Sequence, residues 1–226
     1  MPTKQELIDR VEWHAEQVTV QGESLGLNKD AVYQQLKSAT RTVLRKAPAR
    51  MLRTDTTAGH ESGTKTKFAN ETGPPPYTRV EPPKNYLRFL MLKLTSWERP
   101  VYQLIRSRSD QHRLQSNEFA QADTSNPIVV PDTRAGAGKI FRCYPQSANA
   151  GWHHFAYVAD QAPEAVDSRL IDPVVLLAAS QVVQSGIETE ADVDAVDKLN
   201  QRADRRLVAV QNGEIPLFNR TDSDES

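Results

Sequence analysis

The run from Asp167 to Val183 constrains the fold more than any other part of the chain. Within it Leu170, Ile171, Val174, Val175, Ala178, Ala179, Val182 and Val183 recur at i, i+3 and i+4 in two adjacent stripes. That period specifies a helix buried over a wide arc, the best candidate for the centre of a core. Gly186 should end it. Thr189, with Asp192 three residues on, predicts the cap of a following helix, whose Val193, Val196, Leu199, Ala203, Leu207 and Val210 supply an opposing face. An antiparallel helix pair joined by a short loop is expected.

Two amphipathic helices are expected at the other end of the chain. Over residues 4–20, Leu7, Val11, Ala15 and Val18 form one stripe; Gly22 and Gly26 then break the period. Asn28 is a natural N-cap for a second helix, with Val32, Leu36, Ala39 and Val43 on its apolar side. It should stop at Ala47-Pro48, because proline disfavours helical geometry in the residue before it.

Between these helical ends the pattern changes. "YLRFLMLKL" (86–94) is short and begins with an alternation of Leu87, Phe89 and Met91, which predicts a strand buried on most of both faces. A second strand is expected in "RPVYQLIR" (99–106) after a Ser96-Trp97-Glu98 turn, a short helix over 109–116, and strands over 127–131, 139–144 and 151–158. Residues 53–79 are rich in Thr, Gly, Lys and Pro, with Phe68 and Tyr77 nearly alone as large apolar side chains. They read as a long loop or arm of the kind that is usually functional or ordered by a partner, with Pro74 to Pro76 holding its end in polyproline II geometry. The class is α+β: an N-terminal helical region (1–52), an extended loop or arm (53–81), a β-rich central region (82–160), a C-terminal helix pair (161–212) and an extended tail (213–226).

Composition sets the functional frame. Only 38% of the 226 residues are apolar, below the usual range of about 45–50%, so much surface is expected to be exposed, extended or covered by neighbouring subunits. With 28 basic against 29 acidic residues, net charge implies neither general nucleic-acid binding nor attraction to an acidic membrane. The single cysteine, Cys143, excludes an intrachain disulfide and reads as a half-buried small apolar residue. No apolar run reaches the roughly 18 residues of a membrane span, and an amphipathic rather than signal-like start, with Pro2 after the initiator, predicts a soluble, unexported and unlipidated protein.

The chemical motifs do not assemble. "RAGAGKI" invites a phosphate-loop reading, but Thr133 stands where a Walker loop needs glycine and Ile140 where it needs Ser or Thr. His153 and His154 adjoin in an expected strand and point to opposite faces, while His14, His60 and His112 are isolated. No serine sits in a nucleophile elbow, and Cys143 has no His or Lys within its segment. Glu188, Glu190, Asp192, Asp194 and Asp197 cluster at a helix start, where the dipole favours negative charge. No catalytic, metal-binding or cofactor-binding residue is therefore assigned. Lys37, Arg41, Arg45, Lys46, Arg50 and Arg53, with no acid among them, make a cationic face that meets phosphates, an acidic neighbour such as the C-terminal tail, or only solvent. A nucleic-acid-binding module using residues 37–53 is the alternative reading.

Residues 84–117, "KNYLRFLMLKLTSWERPVYQLIRSRSDQHRLQSN", carry a resemblance as well. In wording and in order relative to "VLRKAPARML", "QSNEF", "SNPIVV", "GKIFRCYP", "FAYV" and "LIDPVVLLAASQVV", the chain resembles over residues 28–210 the head–tail ring (adaptor, or head-completion connector) proteins of crAss-like phages. It resembles more distantly the connectors of other short-tailed phages. The resemblance implies a non-enzymatic virion protein, assembled in the host cytoplasm, that forms a dodecameric ring beneath the portal and extends the DNA ejection channel. Its implied partners are the portal protein, other tail or ring proteins, copies of itself, and double-stranded DNA passing without sequence specificity; no membrane is involved. By the same analogy a terminal segment inserts between portal subunits, with Ile215, Leu217 and Phe218 as anchors, and the 53–79 arm reaches a neighbouring subunit or the tail. Contacts repeated around a ring must bury two different faces of each subunit.

Overall fold

The computed structural model describes residues 1–18, 28–57, 67–117, 119–134, 138–148, 152–186 and 190–213. The protein mixes helices with antiparallel sheets, in two compact units: residues Met1–Met51 with those from Asp160 onward, and Leu52–Ala159.

The first unit is helical and is built from both ends of the chain. Helix α1 (Lys4–Val18) buries Leu7, Ile8, Val11 and Ala15. Helix α2 (Lys29–Lys46) starts where the side chain of Asn28 accepts from the Asp30 N–H and ends with Ala47 in extended geometry, just before Pro48. Its buried stripe is Val32, Leu36, Ala39, Thr40, Val43 and Leu44. A single turn, α3 (Ala49–Leu52), leads out of the unit. On return, a 3-10 turn over Ser168–Leu170 feeds α5 (Ile171–Gln184), and α6 (Glu190–Asn212) comes after it. Helix α5 buries residues all round, from Ile171 to Val183, because α1, α2 and α6 all pack on it. The wide apolar arc thus has three helices to cover it. Helices α5 and α6 are antiparallel, with Ser180 Oγ donating to Asn200 Oδ1 at 2.8 Å midway. Val193, expected on the α6 core face, is instead 46% exposed; Val196, Leu199, Ala203, Leu207 and Val210 are buried. Thr189 lies outside the described residues.

The second unit is a sandwich of two antiparallel sheets. Strands β1 (Arg53–Thr57), β7 (Trp152–Ala159) and β4 (Tyr86–Leu94) form one sheet in the order β1-β7-β4. Strands β2 (Lys67–Glu71), β3 (Tyr77–Glu81), β6 (Gly138–Tyr144) and β5 (Ile128–Arg134) form the other in the order β2-β3-β6-β5. Between them lies a core of Val80, Phe89, Leu92, Leu94, Trp97, Val129, Phe141, Cys143, Phe155 and Tyr157. Its rings pack tightly: Phe155 stacks on Tyr157 at 5.2 Å, and Tyr86 meets Phe141 edge-on at 5.4 Å. Burial pushes the Tyr86 hydroxyl up to about 12. Cys143 is fully buried, and desolvation raises its thiol far above the ordinary value, so it is an apolar core side chain and not a nucleophile.

Three expectations are corrected here. Where it is described, the 53–81 arm is largely strand: β1 pairs with β7, and β2 pairs with β3 in the register Lys67↔Glu81 to Glu71↔Tyr77. Hydropathy was silent because a core-facing position is polar. Thr78, 0% exposed, donates to Asn70 Oδ1 at 2.8 Å and accepts the Ser147 N–H at 2.8 Å, while Asn70 donates to the Ser147 carbonyl at 2.8 Å. Buried polar groups are tolerated where they are mutually satisfied in this way. Residues 73–75 bend, with Pro74–Pro75 cis, in place of an extended polyproline end. The strand expected over 99–106 reduces to one bridge, Leu92↔Val101, since Pro100 has no N–H to donate and Ile105 N–H goes instead to the Val129 carbonyl at 2.8 Å.

Candidate functional site

The connection from β4 to β5, residues 95–127, has little regular structure of its own. Connections of such length are uncommon in compact domains and are usually functional. It is nevertheless fastened throughout. Trp97 is 2% exposed and its Nε1 donates to the Pro145 carbonyl at 3.1 Å. The next residue, Glu98, accepts from Thr124 Oγ1 at 3.2 Å and Ser125 Oγ at 2.8 Å, and its N–H donates to the Thr124 carbonyl at 2.9 Å. The Ser-Trp-Glu-Arg-Pro segment is thus a staple that pins one end of the excursion to the core and to its other end.

Further along, Ser109 caps the turn α4 (Asp110–Arg113) by accepting from His112 N. Gln115, 4% exposed, donates to the Gln111 carbonyl and accepts from Ala122 N, both at 2.9 Å. Ile105 and Ala122 pack with Tyr77, Val130 and Tyr144 on the outer face of the four-stranded sheet. On that face Arg142 pairs with Asp132 and lies over the Tyr77 ring at 5.3 Å. The His112 ring lies 6.3 Å from that of Tyr144, and His112 Nδ1 accepts from Arg108 N at 3.0 Å. Partial burial, and then the charge of Arg142, hold His112 below the ordinary histidine value.

Three large apolar side chains of this mostly polar excursion stand open to solvent. Phe119 is 98% exposed and Tyr102 64%, with Leu114 at 42%; Arg99, Arg106, Arg108 and Arg113 are exposed among them. Scattered surface apolar groups are ordinary, but two open aromatics among arginines on a pinned loop are the residue types enriched at the anchors of protein interfaces.

The cationic face of α2 is spent largely within its own unit. Arg41 forks onto Asp160, with Nη2 at 2.8 Å and Nε at 2.9 Å. Lys46 reaches Asp204 at 3.5 Å, Lys37 lies over the Tyr33 ring at 4.7 Å, and Arg50 donates to the Gln211 carbonyl at 3.0 Å. Arg45 is exposed. Arg53 is described by its backbone alone, which pairs with Val158 in the sandwich unit. Five of the six cations thus belong to the helical unit and Arg53 to the sandwich unit. Ile215, Leu217 and Phe218 lie outside the described residues, as do His60 and Glu188. Among the described residues no group of three or more His, Cys, Asp or Glu side chains is placed to hold a metal ion, and no helix is long and apolar enough to cross a membrane.

The helical unit also holds a shallow cleft of about 260 Å³ between α2, α5 and α6, with Val43, Leu177, Ala203 and Leu207 on its walls and Lys46 and Asp204 at its rim. Sequence reading missed both this cleft and the open side chains of Tyr102 and Phe119. The signal for the latter was present, as aromatics set in a Gln/Arg/Ser/Asn-rich stretch, but the expected strand over 99–106 absorbed Tyr102. The architecture defines a class: an α+β chain whose two ends build one helical unit and whose middle builds an antiparallel sandwich. No protein-family model matches the chain, and no curated protein matches it.

Proposed function

We propose that the protein is a structural virion subunit, a head–tail adaptor that forms a dodecameric ring between the portal and the tail and extends the DNA channel. The observation that carries this reading is the β4–β5 excursion. The same residues whose wording resembles the phage ring proteins form a pinned, irregular loop with Phe119 and Tyr102 held open. Fixing a loop without covering its aromatics is the arrangement of a preorganised contact surface, because the ordering cost is met before the partner arrives. In this reading copies of the chain and the portal cover that surface, DNA passes through the ring without sequence recognition, and the work done is geometric rather than catalytic.

The nucleic-acid reading through residues 37–53 has less support, since Arg41 and Lys46 each face an acid and Arg50 a carbonyl of the same unit. Negative-stain imaging of the chain mixed with the portal of the same virus tests the proposal. The expected outcome is a portal with an added collar of density, and a bare portal at saturating chain concentration would reject it.

A further inference from the structure

Helix α1 sorts its charges by face. Lys4 lies over the Tyr33 ring at 4.2 Å and 3.8 Å from Asp30, and Arg10 reaches Asp172 at 4.0 Å, so both cations are engaged within the helical unit. The acids Glu6, Asp9 and Glu16 are exposed. In the middle of them stands Trp13, 53% exposed. Counted from it, Glu16 is at i+3, Asp9 at i−4 and Glu6 at i−7, the positions that share a helix face. Glu6 accepts from the Thr3 N–H and Asp9 from the Gln5 side chain, donors that are themselves uncharged. A single apolar side chain on a surface is ordinary, but a half-open indole ringed by carboxylates selects for arginine, whose guanidinium stacks on Trp and pairs with carboxylate.

The sandwich unit carries the opposite arrangement in a knot of nine residues, 106–114. Ser109 N donates to the Arg106 carbonyl at 3.1 Å and closes a tight turn, Arg108 N donates to His112 Nδ1 at 3.0 Å, and Arg113 N donates to the Ser109 carbonyl at 3.0 Å. Within it Arg108 takes φ +67°, the left-handed region that a residue with a Cβ occupies only at a cost. Strain of that kind persists where neighbouring contacts over-determine it, as they do here, and it concentrates at working surfaces. The knot holds Arg106, Arg108 and Arg113 exposed, with Leu114 open beside them, against one acid, Asp110. Among the described residues none of the three guanidiniums is paired with an acid.

We infer that the arginine knot of one copy docks on the Trp13 face of α1 in the next copy, with guanidiniums over the indole and against Glu6, Asp9 and Glu16. Charge complementarity selects a second copy as the occupant, since one chain carries both halves. Neither half complements itself: acid would meet acid, or arginine arginine, in a two-fold contact. The contact is therefore heterologous, the kind that leaves one face of each sort free on every pair and repeats into a ring when the rotation closes. The inference rests on the adaptor reading for that closure and names the surfaces that copies use on each other.

The test follows the full chain, without portal, by sedimentation velocity from about 10 μM to about 1 mM. At about 50 mM salt the sedimentation coefficient should rise with concentration, and about 0.5 M salt should suppress the rise by screening. Asp9→Lys with Glu16→Lys, or Arg106→Glu with Arg113→Glu, should each weaken association at least about tenfold, because like charges then face each other. Trp13→Ala, which keeps every charge, should weaken it about tenfold as well. Equal amounts of the two reversed chains, mixed, should recover association, since the intact arginines of one meet the intact acids of the other. Unchanged circular dichroism serves as the folding control for these exposed positions. A chain that is monomeric at every concentration, an association that survives any of the three variants, or a mixture no better than its components would each overturn the inference. Because the assay contains no portal, a negative result leaves the adaptor reading to be judged by its own imaging experiment.

Discussion

In the helical unit Arg41, Lys46 and Arg50 each end on an acceptor of the same unit, whereas the sandwich unit pins a long connection at Trp97, Glu98 and Gln115 and leaves Tyr102 and Phe119 in solvent. These three cations are satisfied within their own unit. The sandwich unit spends hydrogen bonds on fixing a surface that it does not cover. Exposed charge satisfied at home contributes little to stability or recognition, while fixed apolar surface left open offers itself to a partner. This contrast favours the connection that holds Tyr102 and Phe119 over the basic residues 37–53, the alternative offered by the sequence.

The contrast is broken or sharpened by a graded series of substitutions. The largest effect belongs to the sandwich core: Phe155→Ala, at a fully buried ring stacked on Tyr157, should lower unfolding stability by about 3–5 kcal/mol, read from urea midpoints. Next, Tyr102→Ala with Phe119→Ala should leave the unfolding midpoint within about 0.5 kcal/mol of the parent yet weaken ring or portal association by about 2 kcal/mol or more, some thirtyfold. A loss of stability instead would make those rings part of the fold and remove the contrast. Arg41→Ala, Asp160→Ala and the double variant should give a coupling of no more than about 1 kcal/mol that shrinks with added salt, because the Arg41 side chain is 57% exposed. A coupling that grew with salt would mean that the α2 face is organised differently.

The smallest effect is pH-dependent. His112 lies below its ordinary value of 6.5 because of burial and Arg142, and its Nδ1 is occupied as an acceptor. Between that depressed value and 6.5 the unfolded chain binds the proton and the folded chain does not. The contribution is therefore complete above 6.5 and is lost as the pH falls through the folded value. His112→Gln should flatten a shallow decline in unfolding midpoint between neutral and mildly acidic pH.

Sequence legibility followed the same division. Helices α1, α2, α5 and α6 could be read because a single apolar period and local caps such as Asn28 specify them. Strands β4 to β7 announced themselves through β-branched and aromatic runs. Strands β2 and β3 did not, because the buried Thr78 is satisfied across the hairpin by Asn70 and a polar core position looks like a loop in hydropathy. That α1 and α2 join α5 and α6 in one unit is a long-range fact that no local period encodes. The cationic face was visible as a run of basic residues, but its neutralisation by Asp160 and Asp204, more than a hundred residues away, was not. Tyr102 and Phe119 were misplaced or passed over because exposure is a property of the folded loop.

Native mass spectrometry of the chain with the portal proposed as its partner addresses the central claim most directly, since it counts copies rather than inferring them. The account predicts a complex carrying one adaptor chain per portal subunit, lost when Tyr102 and Phe119 are both alanine. A chain that remains monomeric beside an intact portal, at concentrations well above micromolar, would contradict it.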